Sequence, residues 1–203
     1  MYTKFRNLMP MKKIAYIILG LTIIVGCSGT KTYTEHEQQQ YEQLKALVQT
    51  KQLKVHSNFA RPMATTAFTQ VANTGILGVG NSATNIDITS NSNLLKIQGD
   101  SITGYFPFFG EQRFGGSYPG SNHQGIEFSG IPKDYNVTEN DAKQSVTINF
   151  KIEDQHRPVE HYNISVTLFP SKRSTIQINS TNRSSIEYSG SVQALKVEDA
   201  KSL

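Results

Sequence analysis

Five side chains that can bind a metal ion or move a proton lie within nine positions of the sequence. Glu153 and Asp154 come first, His156 follows, and Glu160 and His161 end the group. Two imidazoles and a carboxylate on a common surface are ligands that zinc or a non-haem transition metal prefers. These residues also fall between two strongly alternating segments, where a polar hairpin connection is expected in any case. We therefore predict neither a metal site nor a cofactor.

A second group of polar side chains surrounds a glycine-rich segment, residues 110–125. Arg113 and His123 lie within this segment, and Glu127 follows it. In one cleft these side chains would serve a hydrolase, with Glu127 as a general base. The sequence contains no usual motif of a catalytic serine, a zinc protease or a phosphate-binding loop. A lone carboxylate on a short strand is more often exposed to solvent, so no catalytic residue is predicted.

The most distinctive segment is Tyr105-Phe-Pro-Phe-Phe-Gly110. Together with Phe114 and Tyr118 it holds six of the chain's 9 Tyr and 10 Phe residues within 14 positions. Alternate side chains of an extended chain point in opposite directions, so both faces of this segment are apolar. Core packing is the favoured explanation, and the alternative is a ligand or partner groove lined by aromatic side chains. For that groove the predicted binding residues are Tyr105, Phe109, Arg113, Phe114, Tyr118, His123 and Glu127.

The single cysteine, Cys27, follows an uncharged apolar run that begins after Lys13. As a helix this run spans roughly 20 Å, which is less than the roughly 30 Å of a bilayer core. A removable export signal is therefore favoured over a membrane-spanning helix. Ile24-Val-Gly-Cys27 resembles the bacterial lipobox, in which the cysteine thiolate is alkylated by a diacylglyceryl donor. We expect a signal peptide at 1–26, lipid on Cys27, and a tether at 27–34.

Cleavage at this point changes the charge of the protein. The chain has 20 basic and 16 acidic residues, and the first 26 positions hold four of the basic ones and no acid. The mature part is thus formally neutral, which argues against nucleic acid as a partner. We expect a lipid-anchored protein of the cell envelope, on the outer membrane and facing the periplasm. Its expected partners are the membrane, through the lipid, and an envelope protein or a small apolar ligand.

The remaining sequence predicts one α+β domain at 35–197, followed by a loose end at 198–203. Thr34-Glu-His-Glu37 has the form of a capping box, and apolar residues at helical spacing follow it, so a helix is predicted over 35–50. Strict alternation, clearest over 145–153, is typical of antiparallel strands with one face on a core. The other strands are predicted near 53–59, 65–71, 84–90, 93–98, 101–108, 124–129 and 162–169, and around the pairs Ile176 and Ile178, and Ile186 and Tyr188.

We expect the helix to pack on a curled antiparallel sheet of roughly eight to ten strands, because many short strands must protect their edges. A partly open barrel and a two-layer sandwich both satisfy this requirement. Gly99-Asp100 predicts a tight hairpin turn. The strands after residue 145 are expected to form a meander.

Three motifs taken in order resemble a family of bacterial lipoproteins called domain of unknown function 4251. They are Tyr105-Phe-Pro-Phe-Phe-Gly110, the glycine-rich segment, and Gly125-Ile-Glu-Phe128. Ile86-Asp-Ile-Thr-Ser-Asn91 and Leu95-Lys-Ile-Gln-Gly-Asp-Ser101 fit the same pattern. The similarity extends over about residues 40–195. It implies a β-rich envelope lipoprotein of Bacteroidota-type bacteria, and it carries no established activity and no catalytic residues.

Three classes of function remain open. The favoured class is a non-catalytic binding module that uses an aromatic surface around residues 105–128, which requires exposed aromatic side chains or an open pocket there. A structural or assembly accessory of the outer membrane would instead have a closed core and a polar surface. A hydrolase with an unrecognised site is the least favoured, because it requires Arg113, His123 and Glu127 to converge in one cleft.

Overall fold

The computed structural model describes residues 33–113 and 125–195. Several predicted features lie outside these ranges. They are the signal peptide with Cys27, the tether up to residue 32, the site candidates Phe114, Tyr118 and His123, and the loose end at 198–203. Within them, neither helix has the length and apolarity needed to cross a membrane.

Two helices and ten strands make up the described part of the chain. The helices are α1 (Glu35–Gln49) and α2 (Thr66–Ala72). The strands are β1 (Gln52–Pro62), β2 (Ile86–Asp87), β3 (Leu94–Gln98), β4 (Ser101–Phe106), β5 (Ile126–Gly130), β6 (Lys133–Asn140), β7 (Ser145–Glu153), β8 (His161–Leu168), β9 (Arg173–Ser180) and β10 (Ile186–Ala194).

Helix α1 begins at the predicted capping box. The Thr34 hydroxyl accepts a hydrogen bond from the Glu37 amide at 3.2 Å, and the Glu37 carboxylate accepts one from the Thr34 amide at 2.8 Å. Both donors would otherwise be unsatisfied at the start of a helix. Tyr41, Leu44 and Val48 form the buried side of the helix. The predicted helix is therefore confirmed.

The strands form one curled antiparallel half-barrel in the order β5-β4-β3-β1-β10-β9-β8-β7-β6, with β2 paired to β1. The last four strands in the sequence are neighbours in the sheet, as the predicted meander requires. Gly99 has a φ of +61°, so the hairpin turn at Gly99-Asp100 has the backbone that favours glycine. Strand β5 continues into β6 through Ile131-Pro132, and this bent stretch pairs with β4 at its beginning and with β7 at its end.

The structure differs from the sequence-based expectations in four respects. The strand predicted at 65–71 is wrong, because Thr65 caps the short helix α2 there, accepting from the Phe68 amide at 3.1 Å. The strand near 84–90 is reduced to the two residues of β2. Strand β6 was not predicted, because nearly all of its side chains are exposed and no alternation marks it. The sheet is a single curled layer and not a two-layer sandwich.

The half-barrel has two ends. The turns that join β3 to β4, β6 to β7 and β8 to β9 lie at one end. We call it the helix end because α1 packs against it. Just before α1, the Tyr33 hydroxyl donates a hydrogen bond to the Ala142 carbonyl in the β6–β7 turn. The connections that leave β1, β4, β7 and β9 lie at the opposite end, which we call the loop end. Inward-facing side chains fill the space between the two ends, with rings of Phe106, Phe128, Phe150, Tyr162 and Tyr188 in contact toward the loop end.

Candidate functional site

The described members of the predicted site all lie at the loop end, but they do not share one surface. Tyr105 and Glu127 are directly opposite each other on the outer face of β4 and β5, and Tyr105 is 44% exposed. Phe109 is partly buried and packs against the core. Arg113 is exposed, and its amide donates to the Asn182 carbonyl at 2.6 Å. The aromatic segment is therefore divided, with Tyr105 on the surface and Phe109 on the core side.

Glu127 has a partner that the sequence did not indicate. Its carboxylate lies 2.8 Å from Nε2 of His156, and both side chains are partly exposed. The neighbouring amide of Gln155 donates to the Glu127 carbonyl, also at 2.8 Å. The connection between β7 and β8 is thus joined to the edge strand β5 by one main-chain bond and one side-chain contact. Glu127 cannot be treated as a lone carboxylate.

The other candidates from the segment 153–161 diverge. Glu153 is exposed and pairs with Lys133 at 2.9 Å, whereas Asp154 turns inward and is buried. His161 is exposed at the start of β8. Within residues 33–113 and 125–195, no three His, Cys, Asp or Glu side chains are grouped so that they could hold a metal ion. The segment is the polar hairpin connection that its position between two strands predicts.

A buried ionic network closes the loop end from inside. Nε of Arg183 lies 3.0 Å from the Glu160 carboxylate, and Arg157 lies 3.4 Å from Glu160 and 3.5 Å from Asp154. The Tyr162 hydroxyl donates to Asp154 at 2.5 Å, and the Ser180 hydroxyl donates to Glu160 at 2.7 Å. Two guanidinium groups and two carboxylates thus balance in a space from which solvent is largely excluded.

The network connects separate parts of the chain. The Gly125 carbonyl, just before β5, accepts from both Arg183 at 2.9 Å and Arg157 at 3.3 Å. The guanidinium of Arg183 also lies 4.9 Å from the centre of the Phe108 ring. Asp154 accepts from the amides of His156 and Arg157, each at 2.8 Å. The connections that follow β4, β7 and β9 are therefore held in one arrangement.

Burial controls the ionisation of this network. It raises the pKa of the Glu160 carboxyl above its ordinary value, although the bond from Ser180 and the charge of Arg157 act in the opposite direction. Burial and the bond to Asp154 raise the pKa of the Tyr162 phenol well above its ordinary range. The carboxylates are occupied by their own partners, so the geometry favours a role in stabilising the loop end over one in proton transfer to a substrate.

The outer surface of the loop end is unusually apolar. Residues 62–86 contain no charged side chain. Within them Ile76 is 72% exposed, Val79 is fully exposed, and Met63 and Val71 are about half exposed. Leu94, which lies opposite Tyr105 on the neighbouring strand, is also exposed. Exposed apolar side chains are thus concentrated in the connection that follows β1 and on the neighbouring strand β3.

The comparison with known families agrees with the motifs in the sequence. The family model described as "Domain of unknown function (DUF4251)" matches residues 35–192. The chain belongs to this family. A crystal structure of a DUF4251 family protein from Bacteroides eggerthii DSM 20697, at 1.95 Å resolution, is similar with a TM-score of 0.49 and 18% identity. That similarity covers 78% of this chain and 90% of the other. No functionally curated protein matches the sequence significantly.

The buried network of this DUF4251 domain was missed, yet a sequence signal for it exists. The inward positions of β7 end at Ile152, and the next position of the same parity is Asp154. Strand β8 has Tyr162 as its first inward residue, and the preceding position of that parity is Glu160. Extending the strand alternation by one step on each side thus places both carboxylates inside. Two inward carboxylates require cationic partners, which Arg157 and Arg183 supply.

Proposed function

We propose that this DUF4251 protein is a lipid-anchored protein of the cell envelope whose loop end is a non-catalytic binding surface for another envelope protein. The observation that carries the proposal is the exposure of Tyr105, Ile76 and Val79 at one end of a domain whose core is otherwise closed. Tyrosine is enriched among the residues that contribute most to protein interfaces, because it buries a large area and keeps a polar group.

The form of the surface favours a protein partner over a small apolar ligand. Tyr105 and Leu94 lie side by side on the outer face of neighbouring strands and not inside a cavity. A small ligand is normally bound in a concave site that buries most of its surface. A protein can instead cover exposed side chains on an outer face, with the Glu127–His156 pair as a polar contact at the rim.

The buried network supports the same proposal because it holds the loops of the binding surface rigidly. Binding residues on loops need a rigid scaffold, because mobile loops lose conformational entropy when a partner orders them. Arg183 and Arg157 hold the Gly125 carbonyl just before β5, two positions before Glu127. The binding surface would therefore be organised before the partner arrives.

Site-specific photo-crosslinking in cells tests the binding surface. The photoreactive residue p-benzoylphenylalanine replaces Tyr105 or Val79, and as a control Ser171, which is exposed at the helix end. We expect the same discrete adduct from positions 105 and 79, and none from position 171. An adduct pattern shared by all three positions, or none at 105 and 79, would contradict the proposal and favour a structural accessory of the outer membrane.

A pair of matched valine substitutions tests whether the adduct depends on the apolar surface. Val79→Ser removes a fully exposed apolar side chain at the loop end, whereas Val137→Ser removes an exposed one from strand β6. The first should weaken the adduct at position 105, and the second should leave it unchanged. Equal effects of the two substitutions would show that the loop end is not the contact.

The proposed lipid anchor and localisation have an independent test. Globomycin, which inhibits the lipoprotein signal peptidase, should cause an uncleaved precursor to accumulate, and Cys27→Ser should abolish labelling with radioactive palmitate. These results would follow from lipid attachment to the cysteine of the lipobox-like segment. If the chain is processed normally under globomycin and the variant is still labelled, the lipoprotein part of the proposal is wrong.

A further inference from the structure

A second surface feature lies at the helix end, on the side of the half-barrel away from Tyr105. It is a cleft of about 440 Å³ between helix α1 and the turn that joins β8 to β9. This volume is within the range of sites that bind small molecules. Its lining includes Gln40, Gln43, Leu44 and Leu47 of the helix, and Phe169 and Lys172 of the turn.

The cleft exists because the sheet does not cover the whole apolar stripe of α1. Its four helix residues follow the spacing i, i+3, i+4 and i+7, so they form one face of the helix. Leu44 on this face is buried, whereas Leu47 is only partly buried and borders the open space. On the opposite wall, Phe169 and Pro170 present further apolar surface. The space is thus apolar in its depth.

The wall formed by the turn is held firmly. The Phe169 amide donates to the Arg173 carbonyl at 3.0 Å, and the Lys172 amide donates to the Phe169 carbonyl at 2.9 Å. The Val192 amide, in β10, donates to the Lys172 carbonyl, also at 2.9 Å. The cleft therefore does not depend on a loosely attached loop.

The charge at the mouth of the cleft is positive. Among the described residues that line it, Lys172 is the charged one and no acidic side chain is present. The guanidinium of Arg173 lies 5.2 Å from the centre of the Phe169 ring, which adds a second cation beside the same wall. An apolar cleft with cations at its mouth is complementary to a molecule with one acyl chain and an anionic head.

We propose that this cleft binds a long-chain fatty acid, with the acyl chain against Leu44, Leu47 and Phe169 and the carboxylate near Lys172. This site goes beyond the binding surface of the loop end and does not depend on it. The cleft is small and open, so a single chain fits it better than the two chains of a phospholipid.

Photo-labelling of the full-length protein tests this assignment. The protein is held in phosphatidylcholine nanodiscs and irradiated with a palmitic acid analogue that carries a diazirine, and the adducts are located by mass spectrometry. We expect adducts on residues 40–47 and 169–172 that excess palmitate suppresses and methyl palmitate does not. Adducts located elsewhere, or equal competition by the uncharged ester, would overturn the proposal. Labelling that only an anionic phospholipid suppresses would assign the cleft to a different ligand and would also overturn it.

Three substitutions make the test specific. Lys172→Glu reverses the charge at the mouth and should reduce labelling about two- to fivefold, as expected for an exposed ion pair. Ala194→Trp places a large side chain in the cleft from an exposed position, and should abolish labelling without disturbing the core. Lys143→Glu changes an exposed lysine outside the lining and should have no effect. Unchanged labelling of the first two variants would refute the site.

Discussion

Nε2 of His156 lies 2.8 Å from the Glu127 carboxylate, and this contact joins the β7–β8 connection to the edge strand β5. The Gln155 amide bonds the Glu127 carbonyl beside it. An edge strand with no neighbour on one side is exposed to unwanted pairing. The pair therefore protects the beginning of β5 and orients the carboxylate next to the exposed Tyr105.

A double-mutant cycle measures what this contact contributes. Glu127→Gln, His156→Ala and the double variant are unfolded in urea, and we expect a coupling free energy of about 0.5–1 kcal/mol, because both side chains are partly screened from solvent. Both residues also take part in other interactions, which is why single substitutions would overstate the pair. The more exposed pair Lys133 and Glu153 is the control and should show a smaller coupling. Equal coupling in the two cycles would contradict the structural role.

The buried Arg183 should be far more important for stability than an exposed arginine with the same kind of partner. Arg183 and Arg61 each lie 3.0 Å from a glutamate, but Arg183 and Glu160 are buried whereas Arg61 is exposed. Arg183→Met leaves the buried Glu160 without the nearer of its two arginine partners, so a loss of about 3–5 kcal/mol in the free energy of unfolding is expected. Arg61→Met should cost less than about 1 kcal/mol.

Urea denaturation of the two methionine variants checks this contrast, and Arg183→Lys extends it. Lysine keeps the positive charge, but its ammonium lacks the planar guanidinium that contacts Glu160 and the Gly125 carbonyl together. Arg183→Lys should therefore recover only part of the lost unfolding free energy. Similar losses for the variants at positions 183 and 61 would show that the network does not hold the loop end.

The strands could be predicted where one face alone is apolar. Val146, Ile148, Phe150 and Ile152 alternate with polar residues, and the structure places β7 at the predicted bounds. Strand β6 lacks this pattern because it pairs on one side and exposes most of its side chains. The helix α2 was mistaken for a strand because its threonines and valine favour strands, whereas the cap formed by Thr65 decides the local structure.

The arrangement of the candidate residues could not be predicted from the sequence. The two apolar faces of the aromatic segment did not reveal that Tyr105 is exposed while Phe106 is buried. The partners of Glu127 and Glu160 are distant in the sequence, at positions 156 and 183. Such pairs depend on how the connections fold over the end of the sheet, which local patterns do not specify.

Glu160 should give the protein a pH dependence opposite to that of its exposed carboxylates. Its pKa is raised in the folded protein, so the folded state holds the proton more tightly than the unfolded chain. Its contribution to stability is fully present below the ordinary value of 4.5 and is lost as the pH rises through the raised value. The stability of the wild type relative to Glu160→Gln should therefore fall as the pH rises from 4.5.

Asp100 is the matched control for this measurement. Its hydrogen bond and ion pair with Lys51 lower the pKa of its carboxyl, so its contribution is present above the ordinary value of 3.8 and is lost as the pH falls through the lowered value. Urea denaturation across both windows should show opposite slopes for the wild type relative to Glu160→Gln and relative to Asp100→Asn. Slopes of the same sign would contradict the assignment of Glu160 as a buried carboxyl with a raised pKa.

Two glycines in the sheet should respond differently to alanine, although a new Cβ would be crowded at both. At Gly104 it would lie 2.1 Å from the end of the Phe128 ring, and at Gly190 it would lie 2.0 Å from the His56 carbonyl oxygen. Overpacking of this kind costs about 1–3 kcal/mol. In Gly104→Ala the new methyl group meets a side chain that can be shortened. Adding Phe128→Leu should therefore lower the free energy of unfolding less in Gly104→Ala than in the wild type.

In Gly190→Ala the new methyl group meets main-chain atoms of β1, so shortening a neighbouring side chain cannot relieve the clash. Gly190 pairs with Ser57 where the register of β1 and β10 shifts, and the bulge brings the backbone of β1 close to its Cα. We expect the larger loss of unfolding free energy for this variant, and no benefit when Phe128→Leu is added. Urea denaturation of the five variants, Phe128→Leu alone included, separates the two causes, since a side-chain clash shows a favourable coupling with Phe128→Leu and a backbone clash shows none. Coupling at position 190 would mean that the crowding there is not with the backbone of β1.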